Sequence, residues 1–221
     1  MAYIRNATRL VVAAMLLGTA PLIQALDLTP LVGTTEVQFH PVQSAGVVEG
    51  CTLIYHVIGQ DYVYQEGNLI GLVGNIAYYT SNVRNTIGLS LKIGVLDSLE
   101  RQARMEAPFF AYLQSPHGTT LTSKFAKADP EMPGSRLFAF EFDENALQVF
   151  KDLMDGLPIT IGFNRHKGGL HVLVPLDLGI AESIVGADGS VARRRSGDML
   201  NQFITCTTDV TEQVQRKRKA R

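Results

Sequence analysis

The chain has 221 residues, 20 basic and 21 acidic side chains, a net charge of −1, two cysteines and no tryptophan. That length suits one domain with a sizeable core. Setting aside Arg5 and Arg9 at the start and the run from Glu212 at the end leaves 13 basic and 20 acidic residues in 26–211, a balance of −7, which argues against a nucleic-acid-binding domain.

The first 25 residues have the layout of a secretory signal peptide. Arg5 and Arg9 give a basic start, Leu10 to Leu17 an apolar run, and Ala25 a small residue at the expected cut, so the mature chain is expected to begin at Leu26. The apolar run is shorter than the roughly 20 residues that span hydrocarbon, and no later stretch is apolar enough to do so. The protein is therefore expected to be exported, to a periplasm where the cell has two membranes and otherwise to the outside. In such a compartment Cys51 and Cys206, the only cysteines, are expected to form one disulfide.

Residues 36–40 suggest a short strand. "CTLIYHVI" (51–58) is rich in β-branched and aromatic residues, and a turn at 66–68 leads into "LIGLVGNIAYYT" (69–80). After the polar turn 81–85, residues 86–97 alternate strictly. Ile87, Leu89, Leu91, Ile93 and Val95 share one face, the mark of a half-buried antiparallel strand. Residues 99–107 read as a short link. Residues 108–114 and 119–125 read as a hairpin about the turn 115–118, and 128–135 as a loop. Phe138, Phe140 and Phe142 again alternate.

The period then changes. Asp143 caps a predicted helix that ends at Gly156, with Ala146, Leu147, Phe150, Leu153 and Met154 as its apolar stripe. Residues 158–178 form a predicted hairpin, and 187–195 a loop. A last helix is expected over 196–206, with Ser196 as cap. Residues 207–221 hold so little to bury that 212–221 is expected to be a disordered basic tail. The sum is a mainly β single domain over 26–211, an antiparallel β-sandwich or partly closed barrel with two short helices.

Chemistry is sparse. In "FNRHKGGLHV" (163–172) a two-residue turn at Gly168–Gly169 would set His166 opposite His171. Two imidazoles so placed are candidate metal ligands, but no third ligand is visible nearby, so no metal and no cofactor is expected. Glu141 and Asp143 are spaced like a carboxylate pair, and more simply as a solvated face. Neither a nucleophile elbow nor a phosphate loop nor a dinucleotide fingerprint is present. Two basic clusters are candidates for contact with an anionic surface: Arg193, Arg194 and Arg195, and the terminal Arg216, Lys217, Arg218, Lys219 and Arg221. The sequence thus points to an exported binding or accessory protein whose partner is an envelope component or another protein. The alternative is a metal-dependent or other hydrolase around His166 and His171.

Overall fold

The computed structural model describes residues 29–81, 86–99, 103–121, 123–128, 132–186 and 188–219. The expected signal segment 1–25 and the candidate Arg221 lie outside the described residues. A 3-10 turn (Thr29–Leu31) leads into a meander of four long antiparallel strands: β1 (Gly33–Ser44), β2 (Val47–Asp61), β3 (Asn68–Ser81) and β4 (Thr86–Leu96). Short β5 (Met105–Glu106) adds to the end of β4. The chain then builds β6 (Phe110–Ser115) and β7 (Gly118–Thr119), and returns to the first sheet as β8 (Ser123–Ala128) and β9 (Ser135–Phe140). After α1 (Glu144–Met154) come β10 (Ile159–Asn164), β11 (Val172–Leu176), β12 (Ile180–Val185), β13 (Val191–Arg195) and α2 (Asp198–Lys219). The large sheet runs β1-β2-β3-β4-β9-β8, the smaller one β11-β10-β6-β7, and β12 pairs with β13 alone. This is a mainly β, antiparallel, sandwich-like domain with two helices and no closed barrel among the described residues.

The alternation read from the sequence is the alternation that folds. Leu53, Ile76, Leu91 and Phe138 stand side by side across β2, β3, β4 and β9, all fully buried. Facing them, β10 and β11 contribute Ile161, Phe163, Val172 and Val174. One row further along, fully buried Tyr55 lies opposite Gly74 and donates its hydroxyl to the carbonyl of Lys92 at 2.9 Å. Burial pushes the Tyr55 hydroxyl pKa far up, so it stays a donor. Gly74 is required by that crossing, because a Cβ there would lie 1.9 Å from the Lys92 carbonyl oxygen. Gly74→Ala is expected to cost about 1–3 kcal/mol in urea unfolding, the usual penalty for overfilling a packed core. An unchanged midpoint would contradict the crowding at this point.

The helices depart from expectation in instructive ways. Asp143 caps α1 by accepting from the amide of Ala146 at 2.9 Å, so it serves the helix rather than a carboxylate pair. The α1 stripe holds as expected at Ala146, Phe150, Leu153 and Met154 and is widened by buried Val149 and Asp152, whereas Leu147 departs from it at 38% exposed. The last helix does not stop at 206. It continues through the expected disordered tail to Lys219, because Val210 and Val214 carry on the spacing begun by Phe203 and Cys206 and all four are buried. Thr211 adds a hydrogen bond to the Tyr78 hydroxyl. Residues 187–195 are not only a loop either, since Val191–Arg195 pairs with Ile180–Val185. The 119–125 arm of the expected hairpin follows β6 through Thr119 and Thr120, whose amide donates to the Leu113 carbonyl at 2.9 Å, and the chain then crosses to the large sheet, where β8 pairs with β9.

A disulfide joins Cys51 of β2 to Cys206 of α2, with the Cα atoms 6.0 Å apart and the two cysteines 155 positions apart in sequence. It ties α2 across the end of the large sheet where β1 and β2 form their hairpin. That hairpin turns at Ala45 and Gly46, both with positive φ (48° and 79°), the geometry that suits the twist of two antiparallel strands.

Candidate functional site

The β10–β11 connection carries the two candidate histidines, and its geometry differs from the expected turn. Phe163 pairs with Val172 and Ile161 with Val174, so the pairing is displaced by two residues from one centred on Gly168–Gly169. A displacement of two preserves the faces, which is why Ile161, Phe163, Val172, Val174 and Leu176 are buried as expected. The hydrogen bond closing the turn runs from Gly169 N to His166 O at 3.0 Å, around Lys167 and Gly168. Only Gly168 has a positive φ (72°), as a turn with one left-handed central residue demands, whereas the expected turn needs two. His166 and His171 are therefore not a cross-strand pair. His171 Nδ1 lies 3.0 Å from the Tyr112 hydroxyl, and the His166 ring meets Tyr64 edge-on at 5.4 Å. Among the described residues no group of three or more His, Cys, Asp and Glu side chains is placed to hold a metal ion.

Beneath that connection lies a charged cluster that the sequence reading missed. Asp61, at the end of β2, is fully buried. One carboxylate oxygen accepts the amides of Val63 and Tyr64 at 2.9 and 2.8 Å, and the other accepts Arg165 Nη2 at 3.0 Å. Arg165 also meets Asp97 at 2.6 Å, and its guanidinium lies 5.7 Å from the centre of the Tyr64 ring. Burial alone would lower the Arg165 pKa, but hydrogen bonds and charge from Asp97 and Asp61 outweigh it and raise it, so the guanidinium stays charged. The Tyr64 hydroxyl donates to the carbonyl of Leu170 at 2.6 Å, fastening the β2–β3 turn to the β10–β11 connection.

A second cluster centres on Asp152 of α1, whose side chain is buried. The His117 ring Nδ1 approaches its two oxygens at 3.1 and 3.2 Å, the His117 amide donates at 3.2 Å and Gln148 Nε2 at 2.9 Å. Burial would raise the Asp152 pKa. Hydrogen bonds from Ser115, Gln148 and His117 outweigh it and hold the carboxyl at about 2. A serine, a histidine and an aspartate thus meet, and His117, 61% exposed, turns its Nε2 away from the carboxylate. The order of bonding is not that of an acyl-transfer triad, though. Ser115 shares the carboxylate with the imidazole instead of bonding the imidazole, so the aspartate is a hub that fastens the 115–118 turn to α1.

That hub sets a pH dependence. The folded Asp152 pKa lies below its ordinary 3.8, so its stabilisation is fully present above pH 3.8 and is lost as pH falls through about 2. Asp152→Asn is expected to flatten the stability curve across that window in acid titrations followed by circular dichroism. An acid limb of unchanged steepness would assign it to other carboxylates.

The two basic clusters are placed differently. Arg193 donates to the carbonyls of Val32, Leu31 and Pro30 at 2.8, 3.3 and 3.2 Å and holds the N-terminal turn on β13. Arg194 meets Glu182 at 3.3 Å, and Arg195 takes both oxygens of Asp177 at 2.6 and 3.1 Å. All three are thus engaged within the protein. In the last turn of α2, Arg216 bonds Glu212 at 2.9 Å, while Lys217, Arg218 and Lys219 are exposed on the helix end.

Between β1 and α2 runs a groove. Its wider part, about 330 Å³, is lined by Phe39, Asn201, Gln202, Thr205, Cys206 and Asp209. A narrower part of about 190 Å³ shares Phe39, Cys206 and Asp209 and reaches Pro41, Gln43, Val48 and Gln213. β1 is the edge strand of the large sheet, and its outer half, from Gln38 to Ser44, is exposed apart from Phe39. Sequence reasoning saw neither element of the groove at full length, since residues 36–40 showed no alternation beyond 40 and α2 was expected to end at 206. No protein family, curated protein or solved structure matches the chain.

Proposed function

We propose that this is an exported binding or accessory protein of the cell envelope or extracellular space, acting by surface contact rather than by turnover. The observation that carries the reading is the groove beside the β1 edge. An edge strand offers unpaired backbone groups, and here an aromatic side chain and a disulfide wall lie alongside it. The Cys51–Cys206 bond suits an oxidising compartment. The balance of −7 on 26–211 favours an envelope component or a protein over nucleic acid as partner.

A hydrolase around His166 and His171 has no support in the geometry, because each ring addresses a different tyrosine. Metal analysis of the dialysed protein checks that alternative. Stoichiometric zinc lost on changing both histidines to Gln would revive it.

The binding reading is tested by placing a photo-crosslinker at Gln43 or Gln213 in the groove, and at Leu173 on the exposed face of β11 as control. In the exported compartment the groove positions should give a discrete adduct and the control should not. Equal, diffuse labelling at all three positions would sink the reading.

A further inference from the structure

We infer that the free half of β1 takes up an extended polypeptide as an added strand, and that Asp209 of α2 selects a lysine or arginine in it. The inference rests on the binding reading and names the partner class for the same groove.

The edge is open over one stretch only. The first half of β1 is occupied, since the Thr34 carbonyl accepts Ser183 Oγ of β12 at 3.4 Å and Arg193 Nε of β13 at 3.3 Å. From Gln38 to Ser44, β1 pairs only with β2 among the described residues, an edge about 24 Å long. Pro41 tells which backbone groups face outward. A proline in a sheet sits on an edge strand with its nitrogen turned away from the neighbour, because it has no N–H to give. Backbone direction alternates along a strand, so the Phe39 amide and the Phe39 and Pro41 carbonyls turn outward with it, short of the register shift between Val42 and Gln43. One donor and two acceptors at alternate residues are what an added strand pairs with. A polysaccharide carries hydroxyls and no such two-residue repeat.

The side chains beside that edge are spaced for the same ligand. Strand alternation turns Phe39, Pro41 and Gln43 towards α2. Opposite them α2 sets Asn201, Thr205, Asp209 and Gln213, four apart and therefore on one face. Four helical residues rise about 6 Å and two strand residues about 6.8 Å, so alternate side chains of an added strand meet successive members of that row.

The row also sets what the ligand carries. Asn201, Thr205 and Gln213 are neutral, and Asp209 is the only charged residue lining the groove. It is exposed and has no ion-pair partner among the described residues. A ligand cation facing it gains an ion pair, whereas a ligand carboxylate is repelled. A second copy of this chain fits poorly. Its edge would present Phe39, Pro41 and Gln43 on that face, with no cation, and would bring another Asp209 to the joint.

The test is selection from a displayed library of random seven-residue peptides on the full exported chain, read against selections on Asp209→Asn and Asp209→Lys. Position 209 is exposed on α2, so both variants should fold. The unaltered protein should enrich lysine or arginine at one fixed position. Asp209→Asn should lose that enrichment, and Asp209→Lys should replace it with aspartate or glutamate. The best peptide, made synthetically, should bind Asp209→Asn several-fold more weakly. Methylating its backbone amides one at a time then tests strand addition. A methyl on either amide that donates to Phe39 or Pro41 should weaken binding about tenfold, near the upper value for one hydrogen bond, and a methyl on the amide between them should change little. Selections that enrich no peptide, that enrich no basic position or that ignore Asp209→Lys overturn the inference, as does a methyl scan without alternation. A free chain that sediments as a dimer the peptide does not dissociate puts a second copy on the edge and overturns it too. If these arms fail while Gln43 and Gln213 still crosslink to a discrete partner, the peptide inference falls and the binding reading stands.

Discussion

Reducing the Cys51–Cys206 bond is expected to lower the unfolding free energy by about 4–5 kcal/mol, the chain-entropy value for a closed loop of this size. The loop spans 155 residues and contains nearly every strand, so in the unfolded chain the bond removes a large set of separations between β2 and α2. In the folded protein it ties down the helix that closes the end of the core through Phe203, Val210 and Val214. Domains of this class have total stabilities of about 5–15 kcal/mol, so the reduced protein should sit close to its unfolding threshold at room temperature. Urea unfolding of the oxidised, the reduced and the Cys51→Ser/Cys206→Ser proteins measures this. The latter two should coincide with each other and lie well below the first. Coincident midpoints for all three would show that packing of α2 alone holds that end.

What the sequence made legible was whatever obeys a period. Residues 86–97 announced a strand because the large apolar side chains of β4 all fall on one face, although Gly88, Ser90 and Gly94 on the other are buried as well, and the same alternation kept the core faces of β10 and β11 correct even though their turn is displaced. What it hid depends on contacts between distant segments. β13 carries Arg193, Arg194 and Arg195 where a core strand would carry apolar residues, because backbone carbonyls and carboxylates of the N-terminal turn, β12 and the β11–β12 connection hold it in place. The second half of α2 has only Val210 and Val214 to bury, too few for composition to reveal but at the right spacing. The Asp152 hub and the Asp61–Arg165 cluster join residues 35 and 104 apart, which no local pattern marks. The groove arises only once α2 lies along β1, so apart from Cys206, marked by its expected disulfide, its lining residues carried no signal of a site.

Arg165→Ala is expected to destabilise the protein by about 3–5 kcal/mol, the cost of leaving a buried carboxylate without its counter-charge. Asp61 is fully buried, and two of its three acceptor bonds come from the turn amides of Val63 and Tyr64, which remain when the arginine is removed. Those amides cannot neutralise it. The truncated protein must either protonate Asp61 or open the β2–β3 turn, where Glu66 and Gly67 already hold positive φ values of 54° and 89°. The same change releases Asp97 and removes the cation from the Tyr64 ring, loosening the tie from Tyr64 to Leu170. Arg165→Lys should recover only part of the loss, because a point charge cannot address two carboxylates from a planar fork. The double variant Asp61→Asn with Arg165→Met should be much less damaging than Arg165→Ala alone, since it takes away both buried charges while an amide oxygen still receives the turn amides. A double-mutant cycle in urea unfolding reads the coupling directly. If Arg165→Ala costs less than about 1 kcal/mol, or if the double variant is the worse of the two, the cluster is a solvated surface pair and not the fastening of this end of the sandwich.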